Sequence, residues 1–456
     1  MVIIGNAAVL TLDKEKPLLH DGAVTMEKHI VKELGNTREI RQKYPEAEFM
    51  DAGGRLVMPG FLNCHMHLYS TFARGMALKG APPASFGQIL EKLWWKMDRL
   101  LSKEEEIYYS ALVPLIEGIK CGTTGILDHH ASFGLVDGCL DILERAAEDA
   151  GVRAVLCYET SDRWGKELRD ASIRENVRFI HKMRGKNQDQ ADSIYNKDSL
   201  VAATFGLHAS LTLSDETLEK CAAEAQSLGA GFHIHVAEGI EDVEDSLKKS
   251  GKRVVERLNS FGILGDRTLA IHCVHVDENE MEILRDTGTM VVHNPQSNMN
   301  NAVGISPMLD FFKKEILTGL GTDGYTPSMF ESAKSAYVLH KLAQRDPRVG
   351  GEETRRMLFE NNSRIFGRLF EKPVGVIKPG ALADIIILDY YPPTPLSEGN
   401  LFYHLIFGMR ENMVSTAIVG GKIVMKDHQL TELDEEKIMA KSRELAAKFW
   451  RKMEDA

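Results

Sequence analysis

No apolar run in the chain approaches the roughly 20 residues that a membrane-spanning helix requires, and its six cysteines form no Cys-x-x-Cys pair. The first absence excludes a helical membrane span. The second weighs against a disulfide framework: Cys64, Cys121, Cys139, Cys157, Cys221 and Cys273 are scattered, mostly in apolar surroundings typical of reduced core thiols. Long basic stretches and basic clusters interleaved with aromatic residues are also missing, and 55 Lys and Arg face 66 Asp and Glu for a net charge of -11. Such a balance repels polyphosphates and anionic lipid, so the expected partner is a small molecule rather than nucleic acid or a membrane. Met1 to Leu12 is apolar but has neither a basic leader nor a small-residue cleavage site, which makes the cytoplasm the expected location. Internal repeats and low-complexity linkers are absent as well.

What is present is ample material for a core: 456 residues, 43% of them hydrophobic, enough for one large domain and a smaller one. The first ~55 residues alternate short β-rich pieces with turns, and near the other end 374–389 and 417–424 carry further hairpin signals. Both ends therefore read as β and are expected to pair. Between them, apolar strand-like runs alternate with amphipathic helical stretches, the pattern of βα units around a parallel sheet. Eight candidate strands, 56–62, 124–127, 154–158, 200–207, 231–235, 269–272, 290–293 and 316–321, fit a (β/α)8 TIM-like barrel. The expected α/β fold thus divides into residues 1–58 as the first part of a small β-sandwich, 59–370 as the barrel, 371–430 as the rest of the sandwich, and 431–456 as a terminal helix.

The chemistry-bearing residues follow these runs. His65 and His67 lie two apart, so on an extended strand both project to one face and can grip one cation. His233 and His235 form a second such pair, with Glu238 three residues on; His235 is the better ligand, and His233 reads as a core or supporting histidine. His272, in Ala270-Ile271-His272-Cys273-Val274-His275, can be a ligand, a water-polarising group or a structural residue. Asp323 sits among glycines that let the chain turn sharply; it can bind a cation, or simply hydrogen-bond its own turn. A fold that gathers strand ends at one mouth brings these groups together. Three imidazole nitrogens and a carboxylate around an open site suit zinc or iron, and lower the pKa of a bound water toward neutrality.

On these motifs the chain resembles the amidohydrolase superfamily, in the group that holds S-adenosylhomocysteine and 5'-methylthioadenosine deaminases, guanine deaminase and the triazine hydrolases. The likeness covers nearly the whole chain. It is carried by Pro59-Gly60-Phe61 with Asn63-Cys64-His65-Met66-His67, by His235-Val236-Ala237-Glu238, by His272-Cys273-Val274-His275, by His293-Asn294-Pro295-Gln296-Ser297-Asn298 and by Leu320-Gly321-Thr322-Asp323-Gly324. The resemblance implies that His65, His67, His235 and Asp323 hold one divalent metal ion, zinc or alternatively iron or manganese. It makes Glu238 the proton shuttle, and gives His272 and Asp323 the orientation and deprotonation of a metal-bound hydroxide. His208 corresponds to a histidine that touches the substrate ring, and Arg163 lies where related enzymes place substrate-binding groups. The run 200–207 contains no lysine, which favours one metal over two.

The implied activity is hydrolytic deamination of an aminated heterocycle, such as a purine, pterin or nucleoside derivative, with release of ammonia. Expulsion of chloride from a triazine-like ring and opening of a cyclic amide are the alternatives at the same site, and a non-catalytic scaffold is the reading from another class. Barrels of this kind commonly form homo-oligomers, although no interface is legible. The chain departs from the adenosine-type pattern after Arg74-Gly75, where no tryptophan follows an acidic loop. Trp94 and Trp95 fall in a helical stretch and read as core, while His129 and His130 read as lining without a metal role.

Overall fold

In the computed structural model, which describes residues 1–185 and 199–456, strands dominate both chain ends and alternate with helices between them. The first strands are β1 (Val2–Leu10), β2 (Leu18–Glu27), β3 (Ile30–Asn36), β4 (Glu48–Asp51) and β5 (Leu56–Pro59). A four-stranded parallel sheet follows, with β6 (Phe61–Met66), β7 (Thr123–Asp128), β8 (Arg153–Leu156) and β9 (Val201–Ala203) in order. A five-stranded parallel sheet comes next, built from β10 (Phe205–Ala209), β11 (Phe232–Val236), β12 (Leu269–His272), β13 (Met290–His293) and β14 (Thr318–Leu320). Single parallel bridges join Thr160 to Leu207 and Met66 to Asp323. These strands are buried along their whole length, as continuous apolar runs flanked by helices must be.

The expected first strand breaks in two at Gly60. Pro59, which has no N–H to donate, ends β5, and a Cβ at Gly60 would collide with the Thr124 side chain. Upstream of the break β5 pairs with β1 and β15 (Ile385–Leu388); downstream β6 enters the parallel sheet. The expected fourth strand breaks likewise at Thr204, so β9 and β10 belong to different sheets.

With β16 (Val414–Val419), β17 (Lys422–Lys426) and β18 (Gln429–Leu430), the chain ends do pair. Hydrogen bonding makes them one nine-stranded sheet, in the order β18-β17-β16-β15-β5-β1-β2-β3 with β4 beside β1. Its apolar side chains, among them Ile4, Val24, Val57, Ile385 and Ile418, form a core separate from those of the parallel sheets. A buried two-pronged ion pair, Arg153 Nε and Nη2 to Asp384 at 2.7 and 2.8 Å, ties β8 to the segment before β15. The last helix, Glu435–Asp455, buries Ile438, Leu445 and Phe449 and donates the Trp450 indole N–H to the Phe72 carbonyl at 2.6 Å. All six cysteines are free thiols. No helix among the described residues is long and apolar enough to cross a membrane.

Candidate active site

The C-terminal ends of the parallel strands converge, and there the backbone is strained. Ala237, His272, Cys273 and Asp323 all take left-handed conformations, with φ of 46°, 71°, 47° and 56°. Non-glycine residues adopt this region at a cost and cluster where a side chain must be aimed. At Asp323 the aspartate itself makes the turn that its glycines were expected to make. Gly321 is needed for another reason: a Cβ there would press on the His65 carbonyl, at 2.9 Å, and on Asn294.

Four histidines and two carboxylates meet at these ends, and hydrogen-bond bookkeeping settles which nitrogens face inward. His67 Nδ1 lies 2.6 Å from the His129 carbonyl and His235 Nδ1 lies 2.8 Å from the His208 carbonyl. A carbonyl only accepts, so both Nδ1 atoms carry hydrogen and, in the neutral rings, both Nε2 atoms present lone pairs. Those Nε2 atoms are 3.2 Å apart. His65 Nδ1 meets His233 Nε2 at 2.8 Å, which leaves its buried Nε2 without a partner, 3.6 Å from Asp323 Oδ1. The same carboxylate oxygen is 3.2 Å from His67 Nε2. Inward lone pairs around an anion call for a positive charge, and one ligand atom each from His65, His67 and His235 lie within 4.8 Å of one another. Burial lowers the basicity of His67, but the Asp323 carboxylate outweighs it and lifts the pKa to about 9. The inward nitrogens and the carboxylate form a donor set that fits a divalent ion.

His272 completes the cluster. Its Nδ1 bonds to Asn298 Oδ1 at 2.8 Å, and its unpartnered Nε2 faces Glu238 Oε2 at 3.4 Å and Asp323 Oδ2 at 3.7 Å. Burial, and then the Asp323 charge, push Glu238 well above the usual carboxylate range, which favours its protonated form. Asn298 belongs to a motif that the sequence reading quoted without assigning it a role.

Beside the cluster opens a cavity of about 490 Å³ lined by His67, His208, His235, Glu238 and Asp323. His208 faces it, with Nδ1 held 2.6 Å from the Thr212 hydroxyl. Arg163, expected to touch substrate, does not line it. Its guanidinium is sealed behind the wall, 2.6 Å from Asp98 and 2.7 Å from Glu159, with the Trp95 and Phe133 rings 5.3 and 5.6 Å from its centre. His129 is also no lining residue: it donates Nε2–H to the Leu207 and His233 carbonyls at 3.0 and 3.1 Å. His130 is buried against Ser132. Trp94 and Trp95, read as core, pack against the cluster of Phe86, Leu90, Val274 and Val303 and also line the cavity; Trp94 closes a π-helical turn over Leu90–Trp94 and Trp95 begins the next helix. Asp98 and Glu159 line it too, which no local pattern signals beyond the place of Glu159 just past the third strand.

The sequence matches the amidohydrolase family over residues 56–424. This chain belongs to that family. The amidohydrolase is 32% identical over 453 residues to a protein of Pelotomaculum thermopropionicum named 5-methylthioadenosine/S-adenosylhomocysteine deaminase, covering 98% of each chain. It is 32% identical to a 5'-deoxyadenosine deaminase of Methanosarcina acetivorans, over 98% of this chain and 97% of that one. Its fold matches that of a zinc-bound adenosine deaminase from Xanthomonas campestris with a TM-score of 0.84 at 22% identity, over 98% of both chains. An atrazine chlorohydrolase from Arthrobacter aurescens aligns with a TM-score of 0.83 at 20% identity, over 98% of this chain and 100% of that one. The amidohydrolase is accordingly a hydrolase of carbon–nitrogen bonds, on a fold of the TIM-barrel type.

Proposed function

We propose that the protein is a metal-dependent hydrolytic deaminase of an aminated heterocycle, such as a purine, pterin or nucleoside derivative, that releases ammonia. One observation carries the reading: Glu238 lies 3.4 Å from His272 at the rim of the histidine–aspartate cluster and faces the cavity, where burial raises its affinity for a proton. His65, His67, His235 and Asp323 would hold one divalent ion, zinc or iron. Bound there, the ion supplies Lewis-acid activation of water. His272 Nε2 and Asp323 Oδ2, 3.7 Å apart, would orient an attacking water between them and take up its proton. Glu238 gives its proton to a ring nitrogen of the substrate, receives the one that Asp323 took from water, passes it to the departing amine, and regains one from the substrate hydroxyl as the carbonyl forms. His208 contacts the ring from the cavity wall. Glu159 also stands near His208 and His235, but its Oε1 is engaged by Arg163, which supports a single ion.

The names of the relatives in Pelotomaculum and Methanosarcina support a nucleoside-like substrate. Chloride expulsion, as in the Arthrobacter neighbour, is the alternative; Glu238 favours an amine, because ammonia must be protonated to leave and chloride need not be. The same reading includes a (β/α)8 barrel over 59–370, closed through the Thr160–Leu207 and Met66–Asp323 bridges. It also includes a β-sandwich from 1–58 and 371–430, a terminal helix over 431–456, and a reducing cytoplasm that suits the free thiols. The test is an ammonia-release screen of metal-loaded protein against purines, nucleosides, pterins and triazines, with elemental analysis of the same batch. About one metal per chain and ammonia from one class is the expected result. Metal without ammonia from any compound would transfer the proposal to chloride or cyclic-amide chemistry.

A further inference from the structure

The cavity wall carries five carboxyl side chains, Asp98, Glu159, Glu238, Asp242 and Asp323, and among the described residues Arg74 is its one Lys or Arg. Arg74 is already committed, with Nη1 2.6 Å from Glu117. A second guanidinium, Arg163, lies buried behind the wall, where its Nη2 is held by both Asp98 and Glu159 and two aromatic rings stand 5.3 and 5.6 Å from its centre. The remaining wall is aromatic, with Tyr69, Phe86, Trp94, Trp95 and Tyr325, and ring faces are electron-rich. Whether a wall carboxyl is ionised or holds a proton, it offers an anion no positive charge. A substrate carboxylate or phosphate entering here would shed its water and meet no unpaired cationic side chain in exchange.

We infer that this pocket selects neutral or cationic heterocycles and rejects those bearing a carboxylate or phosphate, with Asp98 as a specificity-determining residue. The inference rests on the deaminase reading for its substrate chemistry and narrows it. Asp98 matters because it withholds Arg163. Its Oδ2 takes one guanidinium nitrogen at 2.6 Å and its Oδ1 accepts the Trp164 indole N–H at 3.3 Å. Replacing it by asparagine leaves an oxygen for the indole and removes one of the two carboxyl groups that hold Arg163 Nη2.

Two matched pairs test this on the metal-loaded full-length chain: adenosine against adenosine 5'-monophosphate, and pterin against pterin-6-carboxylate. Ammonia release gives kcat/KM for each compound, and the melting-temperature shift on adding each gives binding without turnover. In each pair that is turned over, the neutral member should be favoured on the order of 100-fold, since an uncompensated or like-charge contact is heavily penalised. Asp98→Asn should narrow that ratio by about 10-fold, through better use of the anionic member. A merely structural role would lower both members alike and leave the ratio unchanged, which would remove Asp98 from the inference; Glu159→Gln, which frees Arg163 from its other side, repeats the test should Asp98→Asn fold poorly. Equal turnover, or preference for the anionic member, overturns the charge selectivity while the deaminase reading stands. No ammonia from any compound overturns the deaminase reading, and the melting shifts then decide the selectivity. Shifts by neutral members alone support it, whereas equal shifts, or none, overturn it.

Discussion

Gly321→Ala tests whether the strand ends hold the cluster as tightly as the geometry requires. The added Cβ would lie 2.9 Å from the His65 carbonyl oxygen and 3.0 Å from His65 Cβ, and closer still to Asn294 Oδ1. Comfortable contacts are about 3.5 Å or more, so the end of β6 must retreat by roughly half an ångström. It cannot retreat alone, because the His65 carbonyl accepts the N–H groups of both Thr322 and Asp323 at 3.0 Å. Nor can residue 321 step back freely, with its N–H on the His293 carbonyl at 3.0 Å and its carbonyl receiving the Ser332 hydroxyl at 2.7 Å. The strain therefore falls on the separation between His65 and Asp323. Overpacking of this kind costs about 1–3 kcal/mol, and a displacement of about half an ångström at reacting groups should lower kcat/KM by roughly 10-fold. The assays are a thermal melt, metal content after dialysis against a weak chelator, and turnover of whichever substrate the ammonia screen identifies. Gly265→Ala, whose Cβ would meet nothing within 4 Å, serves as the control and should stay within about 0.5 kcal/mol of the parent. A Gly321→Ala protein with unchanged melting, metal retention and turnover would refute the claim that this glycine sets the spacing.

Glu238→Gln should retain its metal by elemental analysis and lose about 10²–10⁴-fold in turnover; loss of metal would place Glu238 among the ligands instead. Asp384→Ala should destabilise the fold by about 3–5 kcal/mol in a denaturant melt, because it removes the two-pronged carboxylate from the buried Arg153 charge at the junction between the nine-stranded sheet and β8; a shift under ~1 kcal/mol would show that the junction tolerates the loss. Burial raises the Asp242 carboxyl to about 7, against two backbone N–H bonds that lower it, so the fold favours its protonated form. That contribution is whole below the unfolded pKa of about 3.9 and fades as pH climbs toward 7. Asp242→Asn should flatten the fall in melting temperature between pH 4 and 7, and an unaltered slope would discount this group.

The residues of the cluster were legible because strand geometry writes them into local spacing. His65 and His67 lie two apart, as do His233 and His235, and a strand sends such residues to one face. Asp323 and His272 follow apolar runs whose burial in a parallel sheet is equally a local pattern. The two chain ends read as β for the same reason. What each residue faces was not local. Arg163 could not be placed, because its fate depends on Asp98, 65 residues earlier, and on the ring of Trp95, earlier still. His129 gives its proton to two carbonyls on other strands, and His233 stands behind His65 through one bond spanning 168 residues. The breaks at Gly60 and Thr204 were hidden inside unbroken apolar runs, since only the partner strand decides which sheet each half joins. The sequence by itself determined which side chains arrive at the strand ends. Tertiary packing alone decided which lone pairs, protons and rings turn inward, because those choices are made by carbonyls and carboxylates brought together from distant elements.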